Sequence, residues 1–260
     1  VEWIRGSVLE PESIGPAMVG CDAVIHLVGI ISEGPGETYE SVHVDGTTHL
    51  LEATSRAGIG RFLQMSALGA RPDAPSRYHR SKWLAEERVR ASGLRWTVFR
   101  PSVIYGPGDG FVNLFARMGR WTPVLPVPGN GLGLVQPIAV EEVAACFVRS
   151  LDCKAAEGRV FDLCGPDRLT LLQVMQEVDQ AMGRRRLRVK IPRWAAWWQA
   201  RFLEWLFPTV FRQAPPLNRD QVILLGEDNV GDAAWATELL GLHARSFREG
   251  IRRFLSPGPV

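Results

Sequence analysis

The chain has no glycine-rich turn near its start. Neither Gly-x-Gly-x-x-Gly nor Gly-x-x-Gly-x-x-Gly occurs there, so this stretch offers no backbone cradle for phosphates. There is no run of about eighteen apolar residues, which argues against a conventional helical membrane span. No secretory leader is visible. Cysteine is scarce. Cys21, Cys146, Cys153 and Cys164 form no Cys-x-x-Cys pair and no zinc-like spacing, so no metal site is expected. All four lie in or beside apolar runs, as buried thiols of a reducing, cytoplasmic compartment would. An excess of one charge is also missing. Lys plus Arg total 30 and Asp plus Glu 28, for a net charge of +2, which gives no case for nucleic acid as a partner. The chain opens on Val1-Glu2-Trp3 rather than methionine, as if in mid-domain, and an upstream segment is expected.

What is present suits a packed α/β domain. The 260 residues are 46% hydrophobic, enough for one large domain or a core with a smaller lobe. Val1 to Gly6 reads as a short strand. Asp22 to Gly29 is a nearly continuous apolar run, as in a parallel strand covered on both faces. Tyr39 to Ala57 reads as a helix and Arg61 to Ser66 as a strand. Arg77 to Ala91 is predicted helical, with Gly93 as its stop, and Trp96 to Arg100 extended. Phe111 to Met118 and Glu141 to Leu151 read as helices, and Val160 to Leu163 as a strand. Thr170 can cap a helix running to Met182. The strand–helix rhythm predicts an open parallel sheet flanked by helices. From about residue 184 the pattern becomes mostly helical.

Tyr78 and Lys82 lie one helical turn apart, and Ser66 closes a predicted strand. Residues four apart share a helix face. A phenol near its ordinary pKa is a poor base at neutral pH, and a nearby ammonium would lower that pKa. Tyr78 could then exchange a proton with a substrate oxygen, with Ser66 hydrogen-bonded to the same oxygen. Each residue also has a plainer reading. Tyr78 could be core, Lys82 a solvated helix residue and Ser66 a turn residue. Gly29 could permit close backbone approach at a strand end. His43 and Thr47 share a face by spacing, with His43 more often a packing histidine than an acid or base. Arg100-Pro101 and Tyr105 to Asp109 mark another strand-end loop.

These motifs resemble the extended and atypical short-chain dehydrogenase/reductase superfamily. The resemblance is carried by Asp22 to Gly29, Val42-His43-Val44-Asp45-Gly46-Thr47, Met65-Ser66-Ala67, Tyr78-x-x-x-Lys82 and Phe99 to Asp109. His26 to Ile30, Ser76 to Lys82 and Gly110-Phe111-Val112-Asn113 resemble more narrowly the branch of the NAD(P)H-binding accessory subunit of respiratory complex I and its bacterial relatives. It spans most of residues 1 to 182 and continues weakly through Pro216 to Gln221 and Glu227 to Val230. The resemblance implies a Rossmann-type parallel sheet flanked by helices that lacks its first strand, glycine-rich turn and first helix. It implies a core over 1–183 and a small, mostly helical lobe over 184–260, with part of 106–135 contributing to that lobe.

It further implies NAD or NADP as cofactor. Ser66, Tyr78 and Lys82 match catalytic positions, and Lys82 also matches the ribose-holding one. Gly29 matches the strand end beside the adenine ribose side, and Pro101, Ser102 and Val103 match the segment near nicotinamide. His43 stands where extended members often carry an orienting asparagine. An oxidoreductase acting on an unknown small molecule is implied. A non-catalytic accessory or assembly protein and a nucleotide-sugar epimerase or dehydratase are the alternatives.

The tail has its own signature. Trp194, Trp197, Trp198, Phe202, Trp205, Leu206 and Phe207 crowd one segment beside Arg193 and Arg201. Three readings compete over 194–207: a cap on the substrate lobe, a protein-partner surface, or peripheral contact with the inner face of a membrane. Arg184-Arg185-Arg186 reads as a solvated turn or as an anion site.

Overall fold

The computed structural model describes residues 1–121 and 124–255. Its main sheet is built from β1 (Ala23–His26), β2 (Arg61–Met65), β3 (Arg95–Pro101) and, after β4 (Val124–Pro128), β5 (Arg159–Leu163). The order is β1-β2-β3-β5, and every neighbouring pair is parallel. Parallel neighbours require crossovers. Helix α1 (Gly46–Arg56) carries the chain from β1 to β2, and α2 (Arg77–Arg90) from β2 to β3. The longer return to β5 holds α3 (Val112–Trp121), β4 and α4 (Val140–Leu151).

Side-chain alternation splits the core into two layers. Phe62 and Val98 pack with Leu51 and Val89, on the α1–α2 side. Leu63, Phe99, Phe161 and Leu163 pack with Val143, Cys146 and Phe147 of α4 on the other. Both faces of the central strands β2 and β3 are therefore dry, whereas Ile25 of β1 and Leu27 and Val28 just after it are exposed, although the run Asp22 to Gly29 reads as a strand covered on both faces. The structure is an α/β Rossmann-type fold with a parallel sheet, flanking helices and a helical C-terminal region.

That region follows α5 (Leu171–Ala181) and comprises β6 (Leu187–Ile191), α6 (Arg193–Leu206), α7 (Arg219–Leu224), α8 (Ala234–Leu240) and α9 (Phe247–Arg252). Strand β6 pairs in parallel with β4, so the 106–135 excursion and the post-184 segment share a small sheet. The chain then returns to the core. Ala236 and Leu240 join the Leu63–Phe99 cluster, and Phe247 and Ile251 pack with Tyr105 and Val174.

Three local expectations are corrected. Val1 to Gly6 is exposed and irregular, because no described segment pairs with it and a lone strand leaves its hydrogen bonds unmade. The expected helix from Tyr39 opens as a π-helical turn over Glu40–Asp45 before α1 begins. That wider turn buries Val42, His43 and Val44 together. Cys146 and Cys164 are buried thiols, but Cys21 is exposed.

Helix α2 is held at its N-terminus and along one stripe. The Ser76 hydroxyl accepts from the His79 amide at 3.0 Å, an N-cap. The Asp220 carboxylate, from the first turn of α7, accepts from the backbone N–H groups of Arg77 (2.9 Å) and Tyr78 (2.7 Å). A carboxylate on free N-terminal amides is favourable twice, as acceptor and as countercharge to the helix dipole. Tyr78, Lys82 and Glu86 recur at successive turns of one stripe. Glu86 is fully buried. It accepts from Arg100 at 2.8 and 2.7 Å, from Arg90 at 2.8 Å and from the Ser66 hydroxyl at 2.5 Å. This carboxylate ties α2 to the C-terminal ends of β2 and β3. Glu86→Ala should cost about 3–5 kcal/mol of unfolding free energy in a urea titration, because it strands Arg100 and Ser66 without their acceptor. A loss under about 1 kcal/mol would show that the tie is not structural.

Candidate functional site

The ends of the parallel strands converge on the stripe of α2. Lys82 is only 5% exposed. Its Nζ donates to the Met65 carbonyl at 3.3 Å. A Cβ built on Gly29 would lie 2.8 Å from that Nζ and 3.3 Å from His43 Nε2. Gly29 thus lies in close contact with both side chains, so that the β1 end, His43 and Lys82 meet at one point. Burial pushes the Lys82 ammonium from its ordinary 10.5 down to about 8, with Glu86 pulling the other way.

His43 is fixed as a neutral ring by its partners. The Ile30 N–H donates to Nε2 at 3.0 Å. Nδ1 lies 2.8 Å from Ser81 Oγ, whose own proton goes to the Tyr78 carbonyl at 2.8 Å. The proton of the ring is therefore on Nδ1 and donates to Ser81. Burial, then the Lys82 charge, holds the pKa near 3. His43 orients the β1 loop against α2 and does not serve as an acid or base at neutral pH. Thr47 donates to the His43 carbonyl at 2.5 Å, and His26 Nε2 lies 3.2 Å from Thr47 Oγ1.

Tyr78 is half-buried. Its ring meets Tyr39, His43 and His79 at centroid distances of 5.9, 5.6 and 5.5 Å. The hydroxyl makes no hydrogen bond to any described residue. Burial pushes the phenol up to about 12. The expected lowering by Lys82 does not enter, because that ammonium is turned to the Met65 carbonyl.

Ser66 does not point to Tyr78. Its buried hydroxyl donates to Glu86 at 2.5 Å. Ser102 likewise turns away, donating to Asn229 Oδ1 at 2.6 Å and accepting from the Gln136 amide at 3.2 Å. Pro101 and Val103 act through their carbonyls, which accept from the amides of Leu68 (2.9 Å) and Ile138 (3.0 Å). The geometry therefore brings together Gly29, His43, Tyr78 and Lys82, and commits Ser66 and Ser102 to structural partners.

Sequence reasoning missed the residues that hold these in place: Asp220, Glu86, Tyr39 and Asn218. Asn218 Nδ2 donates to the Ile31 carbonyl at 3.1 Å and to Ser32 Oγ at 3.0 Å. Asn218-x-x-Gln221 is a capping box in the structure. That signal was readable, although its reach to the β1 loop was not.

A strand end at Gly29, a buried ammonium and an unbonded phenol are groups with which a dinucleotide could be held. Lys82 could donate to ribose hydroxyls and Tyr78 to a reacting oxygen. Fold and site together define a Rossmann-type dinucleotide-binding protein. Comparison with known proteins agrees. A family model described as NAD(P)H-binding matches residues 1–117. The chain is 33% identical over 166 residues to a Bacillus subtilis protein named as the uncharacterized sugar epimerase YhfK, covering 60% of this chain and 69% of that one. It is 32% identical over 178 residues to the mitochondrial NADH dehydrogenase [ubiquinone] 1 alpha subcomplex subunit 9 of Arabidopsis thaliana, covering 65% of this chain. The match spans only 43% of that subunit's length. The UDP-glucose 4-epimerase of Thermotoga maritima shares the fold, with a TM-score of 0.74 at 20% identity, over 96% of this chain and 82% of that one. The chain belongs to the extended Rossmann-fold superfamily of NAD(P)-binding proteins, related to NAD-dependent epimerases and dehydratases and to this complex I subunit. NAD or NADP is the cofactor of that superfamily.

The burial of Lys82 has a testable consequence for stability. Below pH 8 the ammonium is charged in both folded and unfolded chains, and the full desolvation penalty applies. Between about 8 and 10.5 the unfolded chain binds the extra proton, so stability rises with pH as the penalty is released. Lys82→Met should therefore stabilise the protein at pH 7, by up to about 3 kcal/mol. The gain should shrink as pH approaches 10.5. Thermal melts across that range measure it, and a destabilised variant at pH 7 would refute the penalty.

Proposed function

We propose that the protein is an NAD(P)-dependent enzyme of the epimerase/dehydratase type, acting at a carbon–oxygen centre of a small-molecule substrate. The observation that carries this reading is the unbonded Tyr78 hydroxyl, on the same helix stripe as the buried Lys82 ammonium and beside the bare backbone of Gly29. Bound NAD or NADP would supply the hydride exchange. Tyr78 is protonated at neutral pH and is placed to give its proton to a substrate carbonyl oxygen as that carbon is reduced. In the reverse direction it must lose that proton first, which requires positive charge closer to its oxygen than Lys82 stands in the free protein. Lys82 holds the nicotinamide ribose, and the strand end at Gly29 lies on the adenine ribose side. His43 keeps the β1 loop in register with α2. Ser66 takes no part in the reacting group and acts as a positioning residue through Glu86.

The placement of Ser66 favours a second reading. With that hydroxyl committed to Glu86, the site retains groups for holding a dinucleotide and only one for turning substrate over. An accessory protein that binds the nucleotide without catalysis would need no more. The likeness to the complex I subunit supports this reading, and the sugar-epimerase likeness supports the first.

Calorimetric titration of the full-length protein with NADH and NADPH, followed by turnover assays on nucleotide sugars, separates them. Lys82→Ala should weaken cofactor binding by about tenfold or more. Tyr78→Phe should leave binding within about twofold and reduce turnover by at least about a hundredfold. Binding without turnover of any nucleotide sugar or simple carbonyl would favour the accessory reading. No binding of either cofactor would overturn both.

A further inference from the structure

Helix α6 is amphipathic in the inverted sense. Ala196 and Ala200 face inward, at 1% exposure or less, and pack on Val222 of α7. Trp194, Trp198, Phe202 and Trp205 face outward, each between 55% and 70% exposed. At about 100° per residue these four fall within an arc of about 80°. The protein thus buries two methyl groups and leaves four large aromatic side chains in water. Each would gain roughly 1.5–3 kcal/mol on transfer to an apolar medium. The π-helical turn Phe207–Phe211 continues the pattern, with no buried residue and with Val210 and Phe211 exposed. Leu187 and Val189 of β6 are exposed as well.

Charge identifies what covers this face. Residues 184–212 contain eight cations, Arg184, Arg185, Arg186, Arg188, Lys190, Arg193, Arg201 and Arg212, and one carboxylate, Glu204. The chain as a whole is nearly neutral at +2, so basic charge is concentrated where the apolar surface is. Asp179 pairs with Arg186 and Arg188. Arg185, Lys190, Arg193 and Arg201 remain exposed. The arginine turn borders a depression of about 560 Å³ lined also by Gln176 and Gln180. Among the described residues no helix is long and apolar enough to cross a membrane. Tryptophans in one plane with arginines at their flanks suit the boundary between lipid headgroups and acyl chains, where the indole body is apolar and its N–H stays wet.

We propose that α6 and the basic segment before it form a docking surface for an anionic lipid bilayer. The helix lies flat, with Trp194, Trp198, Phe202 and Trp205 inserted below the headgroups. Arg185, Lys190, Arg193 and Arg201 meet the phosphates. The inference does not depend on how the nucleotide site is used.

Vesicle sedimentation tests it. One set of vesicles is phosphatidylcholine alone, and the other is about three parts phosphatidylcholine to one part phosphatidylglycerol. The protein should bind the anionic set at least about tenfold more tightly, lose that preference at high salt, and show blue-shifted tryptophan emission when bound. The double variant Trp198→Gln with Phe202→Gln should lose about tenfold or more in binding. Both side chains are exposed, so its melting temperature should match the parent. Arg185→Gln with Lys190→Gln should reduce binding to the anionic set alone. Equal binding to both sets, or binding unchanged in the aromatic variant, would overturn the proposal. So would the absence of vesicle binding together with concentration-dependent self-association that the aromatic variant abolishes, which would assign the face to a second copy of the chain.

Discussion

One buried carboxylate sets the geometry on which everything else at the cleft depends. Glu86 has no water to solvate it, so its charge is stable only because Arg100, Arg90 and the Ser66 hydroxyl surround it. Those partners come from α2 itself and from the ends of two different strands. The carboxylate therefore fixes the rotation of α2 about its axis and its distance from the sheet. Once that rotation is set, Lys82 one turn back must sit under the β2 end, and Tyr78 two turns back must face the β1 loop. The polar cluster acts as a register pin between helix and sheet, which apolar packing alone would leave freer to slide.

The second constraint is neutral. His43, Ser81 and the backbone of Ile30 and Tyr78 form a chain in which every donor has one acceptor. Only one tautomer satisfies it. The β1 loop is thereby locked to α2 without a charge, and Lys82 is the cation beside this contact. A charged imidazole there would repel that ammonium and lose the Ile30 bond. Ammonium, neutral ring and bare glycine explain one another. A side chain at Gly29 would have to displace the Lys82 ammonium and crowd His43, and Lys82 tolerates burial because Glu86 lies one turn away.

Much of this was legible in the sequence, and the limits of legibility are physical. The parallel sheet could be read because short strand-like runs alternate with helical ones. Tyr78 and Lys82 could be paired because helical spacing is local information. Gly29 and His43 could be placed near them by the strand–loop–helix order. Direction was not readable. Ser66 ends a strand, but spacing does not say which neighbour its hydroxyl faces, and Glu86 lies twenty residues away. The lowered phenol pKa expected of Tyr78 failed for the same reason, since proximity along a helix does not state where an ammonium points. Asp220 was invisible as a cap for α2 because 142 residues separate it from Tyr78. The inward turn of Ala196 and Ala200, which leaves the tryptophans outside, depends on α7 and could not be told from a buried aromatic face.

The cap that Asp220 places on α2 also sets an order of events in synthesis. The first turn of the helix bearing Tyr78 lacks its carboxylate until residue 220 has left the ribosome. The Asn218 contacts to Ile31 and Ser32 form no sooner. The parallel sheet up to β5 can gather earlier, from contacts nearer in sequence. The cleft is therefore completed later than the strands it rests on, and a nascent chain halted before α7 would carry a sheet without a finished site. The first turn of α2 thus gains its cap only when a segment 142 residues further along the chain folds back over it.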